Sequence, residues 1–184
     1  FNYGNITAAA SAALLLGVGP SDIARAVESF SGVRRRQELL YQDGTLRIYE
    51  DFAHHPTAIA EVLNGMRQRF PDAVLWALYE PRSATSRRDT FQGELPAAFS
   101  PADRVIIRTP YRLESIPEAR RIDIAAVVES LRGQGRDALL LSTADEIVES
   151  VFSRMDRERE NVVVAMSNGA FDGIYGKLTA RARL

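Results

Sequence analysis

Short apolar strands alternate with helical segments along most of this 184-residue chain, and this alternation limits the possible folds more than any other feature. Four hydrophobic runs predict buried strands: 73–79, 104–107, 138–141 and 161–166. Four amphipathic segments predict helices: 57–70, 122–131, 143–155 and 171–181. Strands that alternate with helices form a parallel sheet with helices on both faces. The sequence therefore predicts an α/β fold with a mostly parallel sheet.

A hairpin is predicted at the start of this sheet. Segments 37–41 and 45–49 read as strands, and they flank Asp43 and Gly44, a dipeptide typical of tight hairpin turns. Because the two strands of a hairpin run in opposite directions, we expect this pair to add an antiparallel edge to the sheet.

Two helices are predicted before the hairpin. Segment 6–16 is rich in alanine and leucine, and segment 21–30 has Ser21 as a candidate N-cap. The next three residues break the helical pattern. We therefore divide the chain into a short helical segment, 1–33, and an α/β domain, 34–184.

Composition excludes several classes of function. The net charge of −1 implies no broad attraction to nucleic acid or to a membrane surface, and no apolar run approaches the length of a spanning helix. Cysteine is absent, which excludes disulfides and thiolate metal sites but does not fix the compartment. The chain begins at Phe1, and we interpret it as a fragment of a longer protein.

The first of three polar loops contains Asp51, His54 and Thr57 and joins a strand to a helix. An acid at a strand end can accept hydrogen bonds from a sugar diol, and the start of a helix favours anions. His54 titrates near neutral pH. Alternatively, Asp51 caps the helix and the histidines only pack. No metal site is predicted, because adjacent histidines point in different directions and no third ligand follows.

The second polar loop carries three arginines, Arg82, Arg87 and Arg88. Arginine binds carboxylate or phosphate through two parallel hydrogen bonds, so a substrate with several carboxylates would suit this loop. The alternative is a solvated loop in which Glu80 and Asp89 neutralise the arginines. We favour binding, because functional residues concentrate in loops at this end of a sheet.

The third loop contains Ser167, Asn168 and Gly169 after the last strand. Such residues can bring backbone donors close to a ligand, although a tight turn alone would use the same residues. We expect the three loops to meet at one edge of the sheet. The chain lacks the Gly-x-x-x-x-Gly-Lys-Ser/Thr phosphate loop, so the main phosphate-binding element is not within it.

Five segments carry a resemblance to a known family, and they occur in the same order along the chain. Residues 51–59, Asp-Phe-Ala-His-His-Pro-Thr-Ala-Ile, closely resemble a signature of the Mur ligases. Residues 1–10 resemble the family's His-Asn-x-x-Asn-x-x-Ala-Ala segment, with phenylalanine in place of histidine, and 32–35 resemble its Gly-Val-Lys-Arg-Arg junction. The Glu-Pro-Arg-Ser-x-Thr and Met-Ser-Asn-Gly-x-Phe segments at 80–85 and 166–171 resemble the murein peptide ligase branch.

The resemblance implies a cytoplasmic enzyme of three domains that acts in peptidoglycan recycling. Residues 34–184 would be its Rossmann-like carboxyl-terminal domain, and 1–33 the last helices of its central ATPase domain. The implied reaction joins L-alanyl-γ-D-glutamyl-meso-diaminopimelate to UDP-N-acetylmuramate through an acyl phosphate. ATP and Mg²⁺ would be bound mainly by the central domain, so we expect the chain alone to be inactive. Its partners would be these substrates and the other two domains.

The family's residue roles transfer to individual positions of this chain. The positions that the resemblance assigns to ATP are Asn2, Asn5, Asp51, His54 and Thr57, with the asparagines beside the adenine, Asp51 on the ribose and His54 also a possible catalytic residue. The positions assigned to the substrate are Arg82, Ser83, Thr85, Arg87, Arg88, Ser167 and Asn168.

Two departures from the family pattern leave the substrate open. Glu50 replaces the usual aspartate before Asp51, and residues 84–89 differ from the commoner Asn-Thr-Met-Lys sequence. The second difference resembles the related ligase that adds L-alanine to UDP-N-acetylmuramate, which is the alternative enzyme. A non-catalytic module that binds nucleotides or anions is the alternative outside enzymes.

Overall fold

The computed structural model describes residues 2–184, with the side chains of residues 2 and 3 outside the description. The chain divides into two compact units, Phe1–Val33 and Arg34–Leu184. The assignment of these units to two domains of a larger enzyme stays a prediction. None of the described helices combines the length and apolarity needed to cross a membrane.

The first unit consists of two helices, α1 (Asn2–Leu15) and α2 (Pro20–Ser29). The predicted cap of the second helix was wrong. Gly19 is the N-cap, and Pro20 follows it at the first helical position, where its missing N–H costs no hydrogen bond. Ser21 therefore lies inside the helix. The helix exposes Val27 and buries no residue.

The second unit is built on one sheet of six strands in the order β1-β2-β6-β3-β4-β5. The strands are β1 (Glu38–Gln42), β2 (Leu46–Asp51), β3 (Val74–Tyr79), β4 (Arg104–Arg108), β5 (Asp137–Leu141) and β6 (Asn161–Met166). The first pair is antiparallel and every other pair is parallel. The predicted mostly parallel sheet with an antiparallel edge hairpin is confirmed.

Five helices cover the sheet, and the prediction of helices on both faces is confirmed. They are α3 (Pro56–Arg69), α4 (Leu95–Ala98), α5 (Ile124–Gly133), α6 (Ala144–Arg154) and α7 (Ile174–Ala182). The first three pack on one face and the last two on the other. Side chains of the central strands alternate between these two cores, as the pleat of a strand requires.

Local capping determines where several helices begin. The carboxylate of Asp123 accepts the N–H of Ala126 at 3.0 Å, so α5 starts two residues later than predicted. Thr143 and Glu146 form a capping box, so α6 begins directly after Thr143, the first residue of the predicted segment 143–155. Asp172 has a left-handed backbone, with φ of 53°, inside the short 3-10 turn Phe171–Gly173 that precedes α7. The predicted helix from 171 is therefore interrupted near its start.

The arrangement of connections opens a crevice at the carboxyl edge of the sheet. The loops leaving β2 and β3 lead to helices on one face, whereas the loop leaving β6 leads to a helix on the other. Because β6 lies between β2 and β3, neighbouring loops turn in opposite directions. Ligands of open α/β sheets bind in such crevices. In the strand register, Asp51, Met166 and Tyr79 lie side by side.

Candidate substrate-binding site at the carboxyl edge of the sheet

Asp51 ends β2 and is almost fully buried, with 1% of its surface exposed. One carboxylate oxygen accepts the backbone N–H of Gln37 at 2.8 Å, and the other accepts that of Ala53 at 2.7 Å. The side chain does not cap α3, whose N-cap is His55. In this conformation Asp51 holds the two ends of the hairpin together. The ribose contact that the resemblance implies would require Asp51 to become exposed.

Burial raises the pKa of Asp51 above its usual value of 3.8, against the opposing effect of its two N–H donors. The folded state therefore binds this proton more tightly than the unfolded state. We predict that this group favours folding below pH 3.8 and that the contribution is lost as pH rises through the folded pKa. Asp51→Asn should remove this fall in the free energy of unfolding, measured by urea titration across the acid range.

The matched control is Asp72→Asn, because Asp72 is exposed. This variant should keep the pH profile of the parent chain. If the free energy of unfolding depended on pH in the same way in Asp51→Asn as in the parent chain, the Asp51 carboxyl would not be the source of the predicted pH dependence.

The two histidines both contact aromatic rings, as the packing alternative expects. His54 Nδ1 lies 2.9 Å from the carbonyl of Phe52, and its ring packs edge-on against Phe52 at 5.4 Å. Because a carbonyl can only accept, Nδ1 carries the proton in the neutral ring and Nε2 is left as an acceptor. His55 packs against Phe91 at 4.2 Å. Thr57 is exposed in the first turn of α3, which is the position predicted for it.

Glu80 is the centre of a buried polar cluster that joins three strand ends. Its side chain is fully buried, and Oε1 lies 2.7 Å from Arg108 Nη1 and 3.6 Å from Arg82 Nη1. Its Oε2 accepts the hydroxyl proton of Ser167 at 2.7 Å. Arg108 also contacts Asp172 at 3.4 Å. One carboxylate therefore connects the loops after β3 and β6 to the end of β4.

Arg35 connects the beginning of the domain to the same cluster. Its Nε donates to Glu50 at 2.6 Å, and its Nη2 donates to the carbonyls of Ser167 at 3.0 Å and Gly169 at 2.7 Å. The hydroxyl of Tyr175 lies close to Arg35 and Glu50, and burial raises its pKa to about 12. These contacts hold the loop after β6 through its backbone carbonyls.

The loop after β3 uses part of its polar groups for its own structure. Ser83 Oγ donates to Ser86 Oγ at 2.8 Å and accepts the Ser86 N–H at 3.0 Å. Arg87 Nη1 donates to the carbonyl of Tyr111 at 3.1 Å and to that of Arg112 at 3.0 Å. Ser83 and Arg87 therefore organise the loop and connect it to the segment after β4.

Three other substrate positions remain accessible. Thr85 is exposed, and the half-buried Arg88 guanidinium has no ion pair or hydrogen bond to any residue that the structure describes. Arg82 keeps 37% of its side chain exposed. Arg108 forms the shorter ion pair with Glu80, and Arg82 lies farther from this carboxylate. The Arg82 guanidinium can therefore still bind an anion. Of the three predicted arginines, two are thus available to a ligand.

Ser167 and Asn168 have different roles in the loop after β6. The Ser167 hydroxyl is fully buried, donates to Glu80 and accepts the Gly169 N–H at 2.9 Å. Asn168 Oδ1 is also buried, but it has no donor among the described residues. A buried acceptor without a partner is rare and costs stability. Among the described residues Asn168 Oδ1 is therefore an unpaired acceptor, which a ligand donor would reach after the side chain turned outward.

The two predicted adenine positions lie in the first unit. Asn5 is exposed on α1, whereas the side chain of Asn2 lies outside the described residues. In the described part of the chain, no three histidine or acidic side chains lie close enough to bind a metal ion.

Sequence reasoning missed three charged residues of this edge: Arg35, Glu50 and Arg108. Arg35 was read only as part of a domain boundary, and Glu50 only as a departure from a motif. Their partners are separated from them by 15 to 134 residues in the chain. The available signal was the position of these residues beside predicted strands. Arg35 lies shortly before strand 37–41, and Glu50 and Arg108 directly follow strands 45–49 and 104–107.

A family model described as "Mur ligase, glutamate ligase domain" matches residues 35–169. The chain belongs to the Mur ligase family. The match covers the sheet from before β1 to the loop after β6, so it includes the whole carboxyl edge described above. The resemblance to the Mur ligase family is therefore confirmed.

Several Mur ligases are similar over most of this chain. The UDP-N-acetylmuramate--L-alanyl-gamma-D-glutamyl-meso-2,6-diaminoheptandioate ligase of Escherichia coli (strain K12) is 32% identical over 182 residues, which is 96% of this chain and 36% of that protein. The UDP-N-acetylmuramate--L-alanine ligase of Rhizobium etli is 33% identical over 152 residues, which is 82% of this chain and 31% of that protein.

A solved structure agrees with these relatives. The crystal structure of a murein peptide ligase from Psychrobacter arcticus 273-4 superposes with a TM-score of 0.68 at 29% identity, covering 91% of this chain and 34% of that one. The chain thus spans about a third of the length of the Mur ligases that it matches.

Proposed function

We propose that this chain is the carboxyl-terminal, substrate-binding part of an ATP-dependent ligase. The enzyme would join L-alanyl-γ-D-glutamyl-meso-diaminopimelate to UDP-N-acetylmuramate during peptidoglycan recycling in the cytoplasm. The observation that carries the proposal is Arg82. It combines a half-exposed guanidinium with a place in the segment that resembles the murein peptide ligase branch. The similarity to the Escherichia coli ligase over 96% of the chain supports the same substrate.

The amine substrate offers several carboxylates, and the carboxyl edge offers the matching charges. Arg82 and Arg88 would each bind a carboxylate, since a guanidinium fits a carboxylate through two parallel hydrogen bonds. The free Oδ1 of Asn168 would accept a hydrogen bond from an N–H of the peptide. Together these groups would hold the peptide so that its amine faces the sugar carboxylate.

The reaction needs two steps, and this chain would serve mainly the second. ATP transfers its γ-phosphoryl group to the lactyl carboxylate of the sugar, which gives an acyl phosphate and ADP. The peptide amine then attacks the acyl carbon, loses a proton and expels inorganic phosphate. Holding the amine close to the acyl carbon lowers the entropic part of the barrier. His54 Nε2 is a candidate acceptor for the amine proton.

The central ATPase domain would bind most of the nucleotide. Residues 1–33 would be the last helices of that domain, and Asn2 and Asn5 would border the adenine. Asp51 would bind the ribose after it becomes exposed, with Thr57 and His54 close by. Mg²⁺ would be held by residues of the central domain, where it would neutralise phosphate charge. The 184-residue chain alone should therefore be inactive.

The alternative enzyme is UDP-N-acetylmuramate–L-alanine ligase. The 33% identity to the Rhizobium etli protein favours it, because that similarity extends over 82% of the chain. L-Alanine has one carboxylate, so it would need only one of the two accessible arginines. The number of guanidinium groups that contribute to binding therefore distinguishes the two substrates.

The deciding experiment supplies the full-length enzyme with ATP, UDP-N-acetylmuramate and either the tripeptide or L-alanine. Phosphate release and the ligated product are measured together. We expect a higher kcat/KM for the tripeptide. A higher kcat/KM for L-alanine would establish the alternative enzyme. ATP binding without product from either amine would support a non-catalytic module instead.

A further inference from the structure

The side chain of Arg82 lies directly across the backbone of Gly169. A Cβ atom placed on Gly169 would overlap Cδ and Nε of Arg82 and would lie 3.0 Å from its Cζ. Gly169 does not have a positive φ, so its backbone conformation is open to any residue. A side chain at position 169 is therefore excluded by steric overlap with Arg82, and not by the backbone conformation.

The loop that contains Gly169 cannot easily give way to a larger side chain. The Gly169 N–H donates to Ser167 Oγ at 2.9 Å, and its carbonyl accepts from Arg35 Nη2 at 2.7 Å. Ser167 is in turn held by the buried carboxylate of Glu80. Since the backbone is held on both sides of its Cα, a Cβ would displace the flexible Arg82 side chain instead.

Two further groups confine the Arg82 guanidinium. Its Cζ lies 5.4 Å from the ring centre of Tyr111, which is a cation–π distance, and Glu80 Oε1 lies 3.6 Å from Nη1. Tyr111 is exposed and follows β4. Arg82 thus lies between the loops after β6 and β4 and still presents part of its guanidinium to solvent.

We propose that Gly169 is a positioning residue for substrate recognition, because its missing side chain lets Arg82 lie in this place. Tyr111 is the second positioning residue. The inference rests on the proposed function, in which Arg82 binds a carboxylate of the amine substrate. A guanidinium binds a carboxylate through two bonds only when its plane is oriented, so the orientation of Arg82 affects affinity directly.

The first test is Gly169→Ala in the full-length enzyme. We expect KM for the amine substrate to rise about tenfold, because a charge-assisted contact is lost, while kcat and KM for ATP stay unchanged. Gly176→Ala is the matched control, since a Cβ there has open space on α7, and it should leave every constant unchanged. Tyr111→Ala should also raise this KM, whereas Tyr111→Phe should preserve it. An unchanged KM in Gly169→Ala would overturn the proposal.

The second test combines Gly169→Ala with Arg82→Ala. A Cβ at 169 overlaps only atoms that Arg82→Ala removes, so the double variant should have the same KM as Arg82→Ala alone. A further loss in the double variant would mean that the added methyl group disturbs the loop itself, and the proposal would then fail.

A crystal structure of this chain with Gly169→Ala separates this inference from the proposed function. We expect the guanidinium to have left Tyr111 while the loop after β6 stays in place. A shifted loop with Arg82 in its original position would overturn the positioning role. If the enzyme instead prefers L-alanine, the proposed substrate fails, but the displacement of Arg82 is still expected.

Discussion

Glu80→Ala should lower the free energy of unfolding of this chain by about 3 kcal/mol. Glu80 is fully buried and is the closest acidic partner of Arg108, whose side chain is only 15% exposed. Without the carboxylate, Arg108 keeps only the longer ion pair to Asp172 and one hydrogen bond to the Ser142 carbonyl. The Ser167 hydroxyl loses its acceptor. A buried charge without a partner is the main cost of such a substitution.

The measurement is urea unfolding followed by the fluorescence of Trp76, the single tryptophan, which is buried on β3. Glu129→Ala is the control, because Glu129 forms an exposed pair with Arg132 one helical turn away, and it should cost less than about 1 kcal/mol. Glu80→Gln keeps the shape of the side chain, so its loss in the free energy of unfolding should lie between those of Glu80→Ala and Glu129→Ala. Equal effects of Glu80→Ala and Glu129→Ala would show that the cluster does not stabilise the fold.

Arg82→Ala in the full-length enzyme should raise KM for the amine substrate by about 10- to 100-fold and leave KM for ATP unchanged. Arg82 is the accessible arginine of the cluster around Glu80, and its removal leaves the closer pair between Glu80 and Arg108 intact. The fold should therefore tolerate the substitution. Steady-state kinetics with each substrate varied in turn measures the effect.

The other two arginines of the loop serve as comparisons. Arg88→Ala should raise the same KM without reducing stability, because the Arg88 guanidinium contacts no partner in the described chain. Arg87→Ala should instead lower thermal stability, because Arg87 holds the carbonyls of Tyr111 and Arg112. If Arg82→Ala raised KM for ATP and for the amine equally, a general disturbance of the loop would explain the loss better than a binding role.

Parts of the fold that depend on local chemistry were predicted well. The hairpin turn was predicted from Asp43 and Gly44, and in the structure Asp43 Oδ1 accepts the N–H groups of Thr45 and Leu46. The last strand, Asn161–Met166, was predicted to the residue because an uninterrupted apolar run follows Asn161. Errors occurred at helix starts, where Gly19 took the capping place predicted for a serine.

The candidate site was predicted in outline, but its internal organisation was not. A parallel sheet must bring the three loops to one edge, and this followed from the strand pattern alone. Which arginine pairs with Glu80 depends on distances between residues far apart in sequence, and no local pattern encodes it. The sequence analysis therefore assigned substrate binding to all three arginines. In the structure Arg87 holds the loop together, whereas Arg82 and Arg88 are accessible.

The position of β6 has a consequence for how the chain is made. This strand is synthesised last, yet it lies in the interior of the sheet between β2 and β3. Until Asn161–Met166 is available, the β1–β2 hairpin and the β3–β4–β5 sheet are separate pieces, each with an open edge that can pair with another chain. A nascent or prematurely ended chain is thus the form most prone to aggregate. Folding of this domain on the ribosome should therefore wait until β6 has been synthesised, and chaperones would act mainly before that point.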